Sequence, residues 1–175
     1  GEKLNDGTIS LVEDYLSGGL KAGGAPVGAP FASGTEVGSV VDFVAGRNGY
    51  IAHLISLAPE SLAGYKIGLD CANGASYNIA RRVFRALGAT VVDIGCNPDG
   101  LNINDGCGST RPARLCALVK AKGLDVGFAF DGDGDRCICV DERGAVVDGD
   151  GIMYILSRFL QRRGELIGDR IVATV

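Results

Sequence analysis

LDVGFAFDGDGDR, residues 124–136, runs from a nearly all-apolar segment straight into three aspartates spaced by glycines. A short continuous apolar run is how a strand buried on both faces reads, and such strands belong to parallel sheets covered by helices. The sequence upstream has the matching rhythm. Lys66–Asp70 (KIGLD) and Thr90–Ile94 (TVVDI) read as two further short strands, while the segments from Asn73-Gly74 to Leu87 and from Arg111 to Lys122 read as helices between them. Strands alternating with helices predict βαβ units with right-handed crossovers, hence a three-layer α/β domain built on a mostly parallel, mixed sheet.

Downstream, Cys137–Asp141 and Ala145–Val147 flank Glu142-Arg143-Gly144, a hairpin turn. Gly149 to Arg163 reads as an amphipathic helix with Ile152, Ile155, Leu156, Phe159 and Leu160 on one face, and Arg170–Val175 begins a strand that the sequence cuts short. Upstream, Asp6–Leu16 reads as a short helix and Ser17–Gly38 as a Gly/Ala/Pro linker. Val40, Val41, Val44, Ile51, Leu54 and Ile55 then mark a helix interrupted or frayed around Gly46 to Gly49.

With 46% hydrophobic and 22% charged residues among 175, the chain can bury a full domain core. A net charge of -4 with evenly mixed signs offers no basic stripe, which excludes nucleic acid as the expected partner. No apolar run approaches the roughly 20 residues of a membrane span, and the N-terminus lacks a secretory h-region, so a cytoplasmic location is expected. The six cysteines form no CxxC pair and His53 is the only histidine, so they read as reduced, mostly buried thiols rather than zinc ligands.

The chemistry concentrates at Asp131, Asp133 and Asp135. Without Cβ atoms, Gly132 and Gly134 permit tight turns that bring the three carboxylates to one point. Carboxylates that close repel one another unless a cation neutralises them, and an all-oxygen donor set favours a hard ion such as Mg²⁺. The loop also follows the carboxyl end of a strand, where open α/β sheets bind ligands. Asp-Gly is a common hairpin turn too, and solvated turn carboxylates are the bland alternative. Two Asp-Gly pairs in succession, with a third Asp and an adjacent Arg, favour the metal. Asp131, Asp133, Asp135 and Glu142 also fit positions 1, 3, 5 and 12 of an EF-hand, but Arg136 replaces its glycine and the flanks read as strands. An aspartate-nucleophile phosphatase motif is the other enzymatic alternative, weakened by Asp135 where Thr or Val is usual.

FAFDGDGDR at Phe128–Arg136 resembles the metal-binding loop of the α-D-phosphohexomutase superfamily. DCANGAS at Asp70–Ser76, NINDGCGST at Asn102–Thr110 and VDGDGIMYI at Val147–Ile155 resemble its bacterial phosphoglucosamine mutase branch, and the likeness extends over nearly all of the chain. The resemblance implies Mg²⁺ on Asp131, Asp133 and Asp135, Arg136 in contact with a phosphoserine, and a phosphorylated hexosamine substrate. The implied reaction interconverts glucosamine 6-phosphate and glucosamine 1-phosphate through a bisphosphorylated sugar. It also implies domain bounds: 1–38 the tail of a first domain and a linker, 39–143 a second α/β domain, and 144–175 the start of a truncated third. The phosphoserine loop and the sugar- and phosphate-recognition loops of the family are missing here, so the other domains of a parent enzyme are the implied partners. Alone, the chain is expected to be inactive. The alternatives are a non-catalytic metal- or phosphate-binding module, or a mutase for glucose or mannose phosphate.

Other polar residues have structural readings. Ser109-Thr110 is expected to cap the following helix, with phosphate binding as the alternative, Asn73-Gly74 to form a strand-to-helix turn whose backbone amides could also meet an anion, and Asp148 and Asp150 to sit at a helix start. Arg81, Arg82, Arg162 and Arg163 read as solvated helix faces.

Overall fold

The computed structural model describes residues 3–19, 21–22, 25–26, 33–39 and 41–173. The chain divides into two compact units, residues 1–42 and 43–175. In the first, α1 (Asp6–Leu16) is capped by Asn5, whose Oδ1 accepts from the Thr8 amide at 2.9 Å. A two-residue ladder, β1 (Lys21–Ala22) against β2 (Ala25–Pro26), and a 3₁₀ turn at Gly34–Glu36 interrupt the expected linker, much of which lies outside the described residues.

The second unit is built on a five-stranded sheet in the order β4-β3-β5-β6-β7. Strand β3 (Lys66–Asp70) lies parallel to both β4 (Thr90–Ile94) and β5 (Val126–Phe130). β6 (Cys137–Asp141) returns antiparallel to β5, and β7 (Val146–Val147) antiparallel to β6. Helices α3 (Ala80–Ala86) and α4 (Ala113–Lys122) are the crossovers. The expected α/β architecture with a mixed, centrally parallel sheet is the one observed.

Each sheet face carries its own core. On one, Ile67, Leu69, Cys71, Ala80 and Val91 are buried, and Phe84 of α3 stacks on Phe128 of β5 with ring centroids 5.5 Å apart. On the other, Leu115 and Val119 of α4 meet Leu124, Ala129 and Val140. Gly127 lets α4 approach this closely, since a Cβ there would stand 2.9 Å from Val119 Cγ2. The buried apolar positions of β3 and β5 therefore face helices on both sides, which is why both strands read as near-continuous apolar runs.

Four expectations need correction. Helix α2 (Val44–Ser56) runs unbroken through Gly46 and Gly49; two glycines cost a helix only about 1 kcal/mol each, and packing beside α3 offsets that. The helix expected from Asn73-Gly74 to Leu87 is instead a 3₁₀ turn, Ala75–Asn78, followed by α3. Residues 170–173 form no strand, because no described strand lies beside them to complete a ladder, and the last two residues lie outside the described set. Of the cysteines, Cys71 and Cys107 are buried, Cys137 is exposed and the other three are half-buried.

Helix α5 (Gly149–Arg162) begins as expected, with Asp148 Oδ1 accepting from the Gly151 amide at 3.0 Å and Asp150 in its first turn. Arg81 and Arg163 are partly exposed and pair with Asp93 and Glu165 respectively. No helix among the described residues is long and apolar enough to cross a membrane.

Candidate metal centre

Because β5 pairs with β6 from Phe130↔Cys137 onward, residues 131–136 form a hairpin loop at the carboxyl end of the central strand. Strands flank it on both sides, so the EF-hand alternative is excluded. Asp131 is 1% exposed, and its two oxygens hold the loop closed. Oδ1 accepts from the Arg136 amide at 3.1 Å and Oδ2 from Arg136 Nε at 2.6 Å.

Two neighbouring loops fix the hairpin from outside. After β3, Ala72 and Asn73 both take left-handed backbone conformations, with φ of 53° and 50°. The turn they make delivers the Ala75 amide to the Gly132 carbonyl at 2.7 Å. Gly74 passes so close that a Cβ on it would overlap that carbonyl. From the other side, Ile103 and Asn104 crowd Gly132, and the Ser109 amide donates to the Phe130 carbonyl at 2.8 Å. Asp70 ties the two loops together. Fully buried at the end of β3, it accepts from the Ala72 amide at 3.0 Å and the Gly108 amide at 2.9 Å.

The outcome of this bracing is that one oxygen from each of Asp131, Asp133 and Asp135 lies within 4.8 Å of the others. Asp131 is buried and its two partners are exposed. Around one octahedral Mg²⁺, with metal–oxygen distances of about 2.0–2.1 Å, ligand oxygens stand roughly 3–4 Å apart. The three carboxylates fit such an ion after a small contraction, and their all-oxygen character suits it.

The electrostatics agree with a site built around positive charge. Burial opposes ionisation of Asp131, but the hydrogen bonds and charge of Arg136 outweigh it and hold the carboxyl down at about 2. The negative charges of Asp133 and then Asp131 push the Asp135 carboxyl up, which is the repulsion that a bound cation would relieve.

All four residues singled out from the sequence are thus brought together. The bracing of the loop by Asp70 and Asn104 was missed, and Gly74 was read only as part of a turn; for Asp70 the available signal was a lone Asp ending the apolar run KIGLD. One expectation fails. Helix α4 starts after Pro112 with no side-chain cap, and Ser109 Oγ, far from capping it, is buried without a hydrogen-bond partner. A cavity of about 440 Å³ lies here, lined by Ser109, Thr110, Arg136, Cys137 and Ile138.

A covered α/β sheet with an oxygen-donor loop at the carboxyl ends of its parallel strands defines the class: an α/β domain whose ligand site lies beyond the ends of those strands. The particular family follows from comparison. Residues 48–144 match the α/β/α domain II of the phosphoglucomutase/phosphomannomutase family, and the chain belongs to that family. It is 47% identical over all 175 residues to the phosphoglucosamine mutase of Lachnoclostridium phytofermentans, and 46% identical over the same length to that of Lachnospira eligens. In both cases the chain spans 38% of the relative's length. A crystal structure of a phosphoglucomutase/phosphomannomutase family protein from Burkholderia thailandensis superposes with a TM-score of 0.56 and 27% identity, over 67% of this chain and 26% of that one.

Proposed function

We propose that the chain is the metal-loop portion of a cytoplasmic, Mg²⁺-dependent phosphoglucosamine mutase that interconverts glucosamine 6-phosphate and glucosamine 1-phosphate through a phosphoserine and a bisphosphorylated sugar. In this reading residues 39–143 are the second domain and 144–175 open the third. The observation that carries it is the convergence of three carboxylate oxygens within 4.8 Å on a loop braced from two sides.

Asp131, Asp133 and Asp135 hold the Mg²⁺. When bound, the ion neutralises charge on the oxygens of the transferring phosphoryl group. Arg136 has a second role. Its Nε is committed to Asp131 and its side chain is 64% exposed, which leaves the terminal guanidinium nitrogens as the groups to contact the phosphoserine. Phosphoryl transfer needs mainly positioning and charge stabilisation, so a rigid loop with a fixed arginine supplies what the chemistry demands.

The test replaces the corresponding 38% of the Lachnoclostridium relative with this chain. We expect the chimaera to convert glucosamine 6-phosphate, and Asp133→Asn to cut its kcat by about 100-fold, the scale of losing one preorganised charge-stabilising group. In the isolated chain Asp133→Asn should weaken Mg²⁺ binding in calorimetry, while the metal-free melting temperature holds or rises slightly as repulsion is relieved. A chimaera that folds without mutase activity, or a variant that binds Mg²⁺ like the parent, would overturn the assignment.

A further inference from the structure

Cys137 and Cys139 have no role in the proposed reaction, yet both stand on β6, the strand that closes the acidic hairpin. Alternation along β6 sends Val140 into the core with Leu115 and Val119 of α4, and so turns the two cysteines together onto the opposite face. There Cys137 is exposed, Cys139 is half-buried, and the two thiols interact directly. The ladder sets Phe130 opposite Cys137, and Phe128 and Val147 on either side of Cys139. Residues directly opposite in a ladder share a face, so the pair has apolar neighbours. The carboxylate next in line on that face, Asp141, is already committed. Its Oδ1 accepts from the Arg143 and Ala145 amides at 3.0 and 2.7 Å, and its Oδ2 from the Arg143 guanidinium. Among the described residues no His, Cys, Asp or Glu joins the two sulfurs as a third ligand.

Strand geometry decides what such a pair takes. Residues two apart in a strand stand about 6.4–6.8 Å from one another with side chains running parallel. A disulfide needs Cβ atoms about 3.5–4.5 Å apart, so direct oxidation of the pair would bend the strand. A metal ion inserted between the sulfurs, at about 2.3 Å from each, spans about 4.5 Å in a linear bridge and leaves the strand as it is. Zinc requires four ligands, whereas two thiolates among apolar neighbours suit a soft cation of low coordination number. We infer that Cys137 and Cys139 form a two-thiolate site for Cu(I). Binding is a ligand exchange without oxidation or reduction: each thiol releases its proton to solvent, and each thiolate sulfur donates one lone pair to the ion. The hairpin then carries two sites of opposite preference, oxygen donors in its loop and sulfur on its returning strand, and the hardness of Mg²⁺ keeps it off the second.

Anaerobic titration of the 175-residue chain into the coloured Cu(I) complex of bicinchoninate tests the site with copper alone. The chain should withdraw one equivalent. Cys137→Ser and Cys139→Ser should each weaken that transfer by more than about 100-fold, beyond what loss of an outer-shell partner costs a metal site. Cys96→Ser should leave it unaltered, because that thiol belongs to a second interacting pair, Cys71 and Cys96, in the core beside α3. Saturating Mg²⁺ should displace none of the copper. X-ray absorption of the copper-loaded parent chain should show two sulfur neighbours, a readout that needs no variant to fold. The proposal falls if the chain takes no copper, or if Cys96→Ser rather than the two β6 variants abolishes transfer. It falls equally if Mg²⁺ releases the copper, which would put the ion in the carboxylate triad, or if oxygen or nitrogen neighbours stand in place of sulfur. Mg²⁺ binding is measured by calorimetry without copper, so the two metal assignments fail independently.

Discussion

Asp131 and Arg136 show how one residue pair sets both the shape and the acid response of the loop. The folded Asp131 carboxyl sits at about 2, below its ordinary 3.8, because Arg136 overcomes the effect of burial. The folded chain therefore binds that proton less readily than the unfolded chain. The resulting stabilisation is complete above about pH 4 and is lost as pH falls toward 2. We expect the stability difference between the parent and Arg136→Gln, measured by denaturant titration without metal, to be largest above pH 4 and to close as pH approaches 2. A difference independent of pH would mean that the arginine acts through packing alone. The triad itself was legible in the sequence because its spacing is local. Asp70 was not, since its partners at Ala72 and Gly108 are brought together only when β3 and β5 are neighbours and the loops after β3 and β4 meet at their ends.

Elements were readable in proportion to how far burial alone determined them. β3 and β4 have the bounds read from their apolar runs, and β5 begins two residues later than the run suggested. The glycines were harder, because their consequences depend on neighbours rather than on pattern. Gly49 in α2 has open space where a Cβ would stand, whereas Gly74 faces the Gly132 carbonyl. We expect Gly49→Ala to stabilise the chain by about 0.5–1 kcal/mol, removing a helix-interior glycine. Gly74→Ala should cost about 1–3 kcal/mol through overpacking and weaken Mg²⁺ binding by displacing the hairpin. Thermal melts and metal titrations of the two variants check both directions; equal effects would show that the loop after β3 does not brace the hairpin.

At the scale of the molecule, α5 indicates that the surface seen here is not all meant for water. Tyr154, Ile155, Leu156 and Phe159 are 42–64% exposed along a helix that its sequence makes strongly amphipathic. Read as the opening helix of a third domain, it presents the face on which that domain would build its core. In the proposed reading the reaction is likewise shared among domains. Supplied with Mg²⁺, glucosamine 6-phosphate and a bisphosphate activator, the 175-residue chain by itself should give no glucosamine 1-phosphate in a coupled assay, and measurable turnover would refute the division of roles.

The turn at Asn73-Gly74 has a consequence for chemical ageing. Asn-Gly is the dipeptide most prone to deamidation, because the glycine amide nitrogen can attack the asparagine side-chain carbonyl and close a succinimide ring. Here that nitrogen donates to the Cys71 carbonyl at 2.8 Å, while the asparagine amide group is held at both ends, by the Asn102 carbonyl and the Asn97 amide. Ring closure would have to break all three bonds. Mass spectrometry of chain stored in native buffer should therefore find residue 73 intact long after the same residue has converted in denaturant; equal conversion in both would show the turn to be open in solution. The hydrogen bonds that aim the Ala75 amide at the acidic hairpin thus also protect the asparagine beside it, and any variant that loosens the turn should shorten the shelf life of the protein as well as weaken its grip on metal.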